Sequence, residues 1–591
     1  MVSDVSFYED KVKDLDVLLG SKDITNRRLG ALRLFFFIVS LFMFLAGYFL
    51  KKNTILMCSA ILPLAVFLVL VVIHGKLKKE IAFLEKKREV TSLYIARING
   101  DFERLKDGGS EFEPQRHDYS LDLDVLGDHS LFALYNISET FYGREEFADL
   151  LLGKKSGSER SSGAVKELMG KRDLLIDYQC EASDPDINKN KRALINFSVR
   201  DKDIGDKKRN LARFLPFLWI MVPVVFLIHE PFASAAILLI MAVNTAVRFF
   251  VASVYDEDLT LENGVSKQAD ALRKLFLLLE NENFEDPYMK ELIAAGEKGD
   301  VSVSSWLREI SSACALCNLR AQPLFALLLN CVLPFDLLCA DRLFTMSRKY
   351  GDCFRKALPA LSSIEALMSC AVVGLVSAES CFPEFTEGAY FEGEDIRHPL
   401  LDPTKCVPNS IKLDKTKALI TGSKMSGKTT LIRTVGINAL LAYAGAPVPA
   451  KRVTLGRMKI VSSMRIVDSI EEQMSTFRAE LVRIGRIIEV AKENVPMLFL
   501  IDEIFRGTNS ADRTEGALIV LQNLDKKHII GLMTTHDYAL CDRVSDTMEN
   551  IVYYHFSEKY NDDSISFDYK LHDGVSHESN ARFLMKLVGI E

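Results

Sequence analysis

The sequence has no surplus of basic residues: 73 Lys and Arg stand against 80 Asp and Glu, for a formal net charge of −7. No global positive field therefore advertises a nucleic-acid partner, and any DNA contact has to be local. A disulfide framework is missing too. The 11 cysteines are scattered, and the lone C-x-x-C at Cys314 and Cys317 has no second pair. That usage suits a reducing cytosol, and core packing is preferred over metal binding for the pair. No internal repeat is visible. Locally, the scarce commodity is charge. Leu34 to Leu50 and Thr54 to Ile73 contain none, although 26% of the whole chain is charged.

Each of these tracts approaches the roughly 20 residues that a helix needs to cross about 30 Å of hydrocarbon. Neither keeps the polar face of a soluble core helix. Arg27, Arg28 and Arg33 precede the pair and Lys76, Lys78, Lys79, Lys86, Lys87 and Arg88 follow it, with only Lys51 and Lys52 between. Both outer flanks are expected in the cytosol, and the first tract reads as an uncleaved anchor. A second pair, Phe214 to Ile228 and Phe232 to Val247, is shorter and carries Pro216, Pro223 and Pro231. Fifteen residues reach about 22 Å, so this hairpin spans a thinned bilayer, extends past its ends or is re-entrant. A buried core hairpin is the alternative. Lys207, Lys208, Arg209 and Arg213 repeat the cytosolic orientation.

The expected order is a cytoplasmic N-terminal helix (1–30), a transmembrane hairpin (31–75), a helical and mixed segment (76–210), a second hairpin (211–252), a helical lever (253–390) and an α/β domain (391–591). Asp336 and Asp341 intrude on the apolar stripe from Leu324 to Leu338. A packed bundle is therefore preferred there over a fifth membrane pass.

In the α/β region, a short apolar strand from Lys417 to Ile420 leads into Thr421-Gly-Ser-Lys-Met-Ser-Gly-Lys-Thr-Thr430, followed by an apolar helix. Gly422, Gly427, Lys428 and Thr429 fit G-x-x-x-x-G-K-[ST] in the strand, loop and helix setting that the motif requires. The glycines let backbone N–H groups curl around phosphate oxygens. The contact loop comprises Gly422, Ser423, Lys424, Met425, Ser426, Gly427, Lys428, Thr429 and Thr430. Lys428 is expected to neutralise the β- and γ-phosphates of ATP, and the Thr429 hydroxyl to ligate Mg²⁺. A second strand, Met497 to Ile501, ends in Asp502-Glu503, with Asp502 expected to hold Mg²⁺ directly or through water and Glu503 to polarise the attacking water. A third, Ile529 to Met533, ends in Thr534-Thr535-His536, which puts His536 where a γ-phosphate sensor belongs.

Together these residues resemble the ATPase domain of the MutS family, itself similar to ABC-type ATPases. Ser475-Thr-Phe-Arg-Ala-Glu480 is similar to that family's S-T-F-x-x-E signature, and Asp502-Glu-Ile-Phe-Arg-Gly-Thr508 to its D-E-I-G-R-G-T segment. Further matches are Val448-Pro-Ala450, Arg397-His-Pro-Leu400, Val407-Pro-Asn409, Gly127-Asp-His-Ser-Leu-Phe132 with Gly143-Arg144, and Asp573-Gly-Val-Ser-His-Glu-Ser-Asn580. The resemblance implies a P-loop α/β domain behind an all-α lever. It also implies an ATPase that homodimerises, with Ser475 reaching the partner's γ-phosphate; a helix N-cap is the plainer reading of Ser475.

Departures from the family pattern are informative. Ser423, Lys424 and Ser426 replace residues of G-P-N-M-G-G-K-S, and Cys406 stands where an adenine-stacking aromatic is usual. Phe7-Tyr8-Glu9 mimics the mismatch reader's F-x-E, yet the first apolar tract follows too closely to leave room for that domain. The second apolar hairpin interrupts the helical core about where mismatch-repair members carry their DNA clamp. The expectation is a multi-pass protein of the bacterial inner membrane with a cytoplasmic ATPase, acting as an ATP-driven switch on the bilayer or on a membrane-associated protein. The alternative is a membrane-tethered repair protein binding mismatched or branched DNA, for which Lys189, Lys191 and Arg192 supply local positive charge. A transporter is disfavoured, Asn244 being the main polar group within the apolar tracts.

Overall fold

The computed structural model describes residues 5–50, 54–157, 160–188, 193–199, 203–228, 230–260, 265–423, 425–465, 476–505, 509–561 and 564–575. The chain forms two compact units, Met1–Lys106 and Asp107–Glu591.

In the first unit, helix α1 (Val5–Phe49) pairs with α2 (Ile61–Asn99), the short helix Thr54–Ser59 lying between them. The pairing is antiparallel and is set by polar and aromatic contacts. Tyr8 stacks on Tyr94 with ring centroids 5.0 Å apart, Arg88 pairs with Asp16, and Lys22 meets Glu80 at 2.7 Å. His74 Nε2 lies 2.7 Å from Asn26 Oδ1, and Ser40 donates to the Ala60 carbonyl at 3.0 Å. Between these contacts the apolar tracts face outward: 6% of the most apolar stretch of α1, and 11% of that in Thr54–Asn99, is buried.

The helices run on across two of the expected boundaries. The helix does not stop near residue 30, since Gly30 is the lone weak helix former in Arg27–Arg33 and its open side lies against His74. The charged return arm stays paired with the incoming one, so the unit runs to Lys106 instead of closing at 75. Tyr8, the centre of the reader-like tripeptide, is a buried packing residue.

The second unit opens with helices, among them α3 (Phe141–Leu151) and α4 (Arg172–Ala182). Helices α5 (Leu218–Ile228) and α6 (Glu230–Thr260) form the next hairpin. The most apolar stretches within Asp206–Leu227 and Pro231–Phe250 are only 11% and 17% buried within this chain. Helix α6 also runs well past its apolar tract. Next come α7 (Val265–Asn281) and α8 (Val303–Cys317), packed together, with Cys314 and Cys317 buried on α8. After α9 (Pro323–Val332), the 42-residue α10 (Phe335–Val376) runs about 63 Å. Its most apolar stretch is 83% buried. The stripe read from Leu324 to Leu338 therefore divides: α10 packs inside as expected, whereas Leu324, Phe325, Leu327 and Leu328 of α9 are exposed. Side-chain caps start these helices where the sequence offers them, Thr140 for α3 and Ser302 for α8.

The α/β part holds two sheets. Strands β1 (Glu384–Thr386), β2 (Tyr390–Ile396), β3 (Asn409–Asp414) and β5 (Arg452–Gly456) form the smaller one, in the order β1-β5-β2-β3. The larger sheet contains β4 (Lys417–Thr421), β6 (Lys459–Ser463), β7 (Met497–Asp502), β8 (Ile529–Thr534), β9 (Ile551–Asn561) and β10 (Ser564–Asp573), in the order β10-β9-β4-β8-β7-β6. All are parallel except edge strand β10. Strands β4, β7 and β8 are buried along their whole length, as continuous apolar runs in a covered parallel sheet must be. Phe499 and Ile501 pack with α12 (Thr476–Lys492), α13 (Ser510–Leu524) and α14 (Tyr538–Thr547). Leu500, pointing to the opposite face, lies against Gly436 of α11 (Lys428–Tyr443).

Candidate functional site

Parallel strands deliver their C-terminal ends to one edge of a sheet, where ligands of open α/β folds bind. Here the sheet order inserts β8 between β4 and β7, so the ends of all three meet. The loop after β4 needs its glycines. Gly422 and Gly427 adopt φ of 138° and 103°, and a Cβ on Gly422 would lie 2.9 Å from Ser426 Oγ and 3.2 Å from the Phe556 carbonyl. Gly427 caps α11, leaving the first backbone N–H groups of that helix facing the loop. Lys428 Nζ arches back to donate to the carbonyls of Gly422 (3.0 Å) and Ser423 (2.6 Å). The Ser423 hydroxyl is buried and has no hydrogen-bond partner among the described residues, a group suited to an incoming phosphate oxygen.

Thr429 Oγ1 donates to Asp502 Oδ2 at 3.0 Å, and Thr534 Oγ1 donates to Asp502 Oδ1 at 2.6 Å. The carboxylate is thus held between the hydroxyls of two neighbouring elements. Thr534 Oγ1 also accepts the Glu503 backbone N–H at 3.1 Å. Glu503 and Phe505 have φ of 47° and 60°, a left-handed turn that costs non-glycine residues energy and persists only where the surroundings enforce it. One enforcing contact is Glu480 of α12, which accepts the Phe505 N–H at 2.6 Å. His536 Nε2 pairs with the Glu503 carboxylate and lies 3.4 Å from Lys428 Nζ. Lys428, Thr429, Asp502, Glu503 and His536 therefore form one contiguous cluster.

Beside the loop lies a cleft of about 630 Å³ lined by His398, Cys406, Val407, Met425, Phe556 and Tyr569, among others. Burial, reinforced by the nearby Arg433, pushes the His398 imidazole down to about 3, so it stays neutral. Tyr569 was invisible from sequence as a lining residue. It reaches the cleft because β10 bulges between Phe567 and Leu571, with Tyr569 at φ 53°; bulges re-aim side chains in this way. Asn409 fixes it by donating to the Tyr569 carbonyl at 3.0 Å and accepting the Leu571 N–H at 2.8 Å.

A second feature missed in sequence is a clasp of aspartates from the helical region. Asp122 is buried and accepts from Ser462 Oγ (2.7 Å), the Met464 N–H (3.1 Å), the Arg465 N–H (2.9 Å) and Arg483 (3.1 Å). Asp118 pairs with Arg486 at 3.1 Å, while Asp124 meets Arg433 of α11 at 3.0 Å and Arg465 at 2.6 Å. Their spacing in the sequence carries no motif; the signal is three acids just ahead of the Gly127 segment.

Lys424 and Ser475 lie outside the described residues, as do Arg506 to Thr508 and the end of the Asp573–Asn580 segment. Thr430 sits in the first turn of α11 and, with Met425, lines the cleft. In comparison with known families, residues 418–590 match the model of MutS domain V. Proteins carrying that domain bind and hydrolyse ATP, generally with Mg²⁺ and generally as dimers.

Proposed function

We propose that this chain, which its C-terminal domain places in the MutS family, is a membrane-anchored ATPase acting as a dimeric conformational switch. The observation that carries the catalytic part is the meeting of Lys428, Thr429, Asp502, Glu503 and His536 at three adjacent strand ends. Lys428 and the α11 N-terminus hold the phosphates of ATP. Thr429 and Asp502 hold Mg²⁺, which when bound neutralises charge developing on the transferred phosphoryl group. Glu503 takes the proton of the attacking water and His536 orients that carboxylate. Tyr569 offers the adenine a ring at the cleft where Cys406 cannot.

The switch rests on connection. The signature helix α12 reaches the catalytic turn through Glu480 and the helical region through Arg483 and Arg486. Helix α10 follows the same route from the other end, its Cys370 Sγ lying 3.8 Å from the Ala444 carbonyl at the end of α11. Closure of two ATPase domains around ATP, with Ser475 completing the partner's site, would thus displace the helical levers. Outward-facing apolar helices in both units support the bilayer as the recipient, and the basic flanks support a cytosolic ATPase.

Lys428→Ala should abolish nucleotide binding, whereas Glu503→Gln should bind ATP and stall; normal turnover by both would remove the assignment. The DNA-tethering reading draws on Lys189, Lys191 and Arg192, which lie outside the described residues. It predicts duplex binding by the solubilised protein that weakens steeply with salt, and the switch predicts none.

A further inference from the structure

Between α8 and α10 the chain turns sharply: Val303–Arg320 and Leu324–Val332 meet at 105°. The short helix after the turn presents Leu324, Phe325, Leu327, Leu328 and Val332 to the outside and packs its other side on α6. A polar surface is what water would select for a ten-residue helix at the rim of a bundle. This one instead continues the exposed apolar faces of α5 and α6, with Ile220, Met221, Leu238 and Leu239.

The ends of the short helix are closed by the protein itself. A helix leaves its last carbonyls without intrahelical partners, and in hydrocarbon such groups must be satisfied by protein. Asn244 of α6, completely buried, donates its amide to the carbonyls of Cys331 (3.2 Å) and Val332 (2.9 Å). Trp219 of α5 donates its indole N–H to the Val332 carbonyl at 2.6 Å. At the other end Pro323 begins the helix, removing a donor that would have none to serve. Asp336, one of the two acids that argued against membrane contact in the sequence, is withdrawn: it is buried, bonded to Arg320 at 2.7 Å and to Asn330 at 3.0 Å, with Arg248 at 3.9 Å.

We infer that Pro323–Val332 is a third membrane element, a re-entrant helix dipping into the acyl chains of the cytosolic leaflet beside the second hairpin. Ten residues span about 15 Å, half of the hydrocarbon thickness, so the chain enters and leaves on the same side. Only Leu333 and Pro334 separate it from α10, whose far end reaches the helix that follows the phosphate-binding loop. Motion of the lever is thereby delivered to lipid without passing through a flexible linker. This inference rests on the membrane reading of α5 and α6 and adds an element to it.

The test uses the full-length chain in inside-out membrane vesicles, with Phe325→Cys and Leu328→Cys for the new element, Leu227→Cys for the hairpin and Asp352→Cys as an exposed control. Each is treated with a membrane-impermeant polyethylene-glycol maleimide, and the adduct beyond those of the native cysteines is read by gel shift. Asp352→Cys should label in intact vesicles; the other three should gain their adduct only after denaturation. Labelling of Phe325→Cys and Leu328→Cys in intact vesicles, with Leu227→Cys still protected, overturns the re-entrant helix and leaves the hairpin. Labelling of Leu227→Cys as well removes the membrane reading beneath it. Repeating the assay in nanodiscs holding one copy separates lipid from self-association. Retained protection assigns the face to lipid, and lost protection assigns it to a second copy and overturns the inference.

Discussion

Replacing Thr534 by valine keeps the shape of a fully buried side chain and deletes one hydroxyl. That hydroxyl makes two bonds at the site, donating to Asp502 Oδ1 at 2.6 Å and accepting the Glu503 N–H at 3.1 Å. The first involves a carboxylate and is worth about 1.5–3 kcal/mol; the second leaves an unsatisfied amide in a left-handed turn. Both act on the placement of the proposed magnesium ligand and general base, and neither touches the cleft proposed for the nucleoside. If half or more of the loss falls on the transition state, kcat should drop by about one to two orders of magnitude at about 1.4 kcal/mol per tenfold, while ATP affinity stays near that of the parent. The assay is steady-state hydrolysis at saturating ATP, paired with equilibrium binding of a fluorescent ATP analogue. Thr534→Ser, which restores the hydroxyl, should recover most of the rate. Unchanged turnover in Thr534→Val, or an equal loss in Thr534→Ser, would refute the reasoning, since the first denies the bonds a role and the second assigns the effect to packing.

Removing the Asp122 carboxylate with alanine takes the acceptor from the Met464 and Arg465 N–H groups and the ion pair from Arg483, at about 1–3 kcal/mol for each stranded N–H. Hydrogen exchange at Ser462–Arg465 should rise well above that in Asp122→Asn, which keeps an acceptor. Tyr569→Ala should weaken ATP binding about tenfold, within the range of base stacking on an aromatic, and Tyr569→Phe should restore it; equilibrium binding reads both. Glu365 is wholly buried, bonded to Thr140 and Tyr178, and burial raises its carboxyl to about 7. Its folded-state value thus lies above the unfolded one, so the folded chain binds the extra proton and loses stability as pH rises from about 4.5 to 7. A melting profile over that range should flatten in Glu365→Gln, and an unchanged slope would place the titration elsewhere.

Several features were legible from local pattern. An apolar strand followed by Gly-x-x-x-x-Gly-Lys-Thr and an apolar helix announces its own backbone, because left-handed glycines, a helix start and a buried strand are each encoded within a few residues. The uncharged tracts announced long exposed helices equally well, since hydrophobic length is a property of the segment alone. Segment reading failed where neighbours decide. It placed a helix end near residue 30, where pairing with α2 carries the helix through. The intrusion of Asp336 and Asp341 makes Leu324 to Leu338 read as one packed stripe, whereas Arg320 and Asn330 withdraw Asp336 from the surface and α9 stays exposed.

The sequence by itself determined where Lys428, Thr429, Asp502, Glu503 and His536 stand, since each lies at a strand end or helix start written in its own neighbourhood. Tertiary structure alone decided that they meet, because the insertion of β8 between β4 and β7 is a matter of sheet order and no local period records it. It also brought Tyr569 to the cleft through a bulge and Asp122 to Arg483 across 361 positions of chain. Contacts of that span arise from the packing of whole layers, whose free energy is shared among many residues and leaves no signature at any one of them.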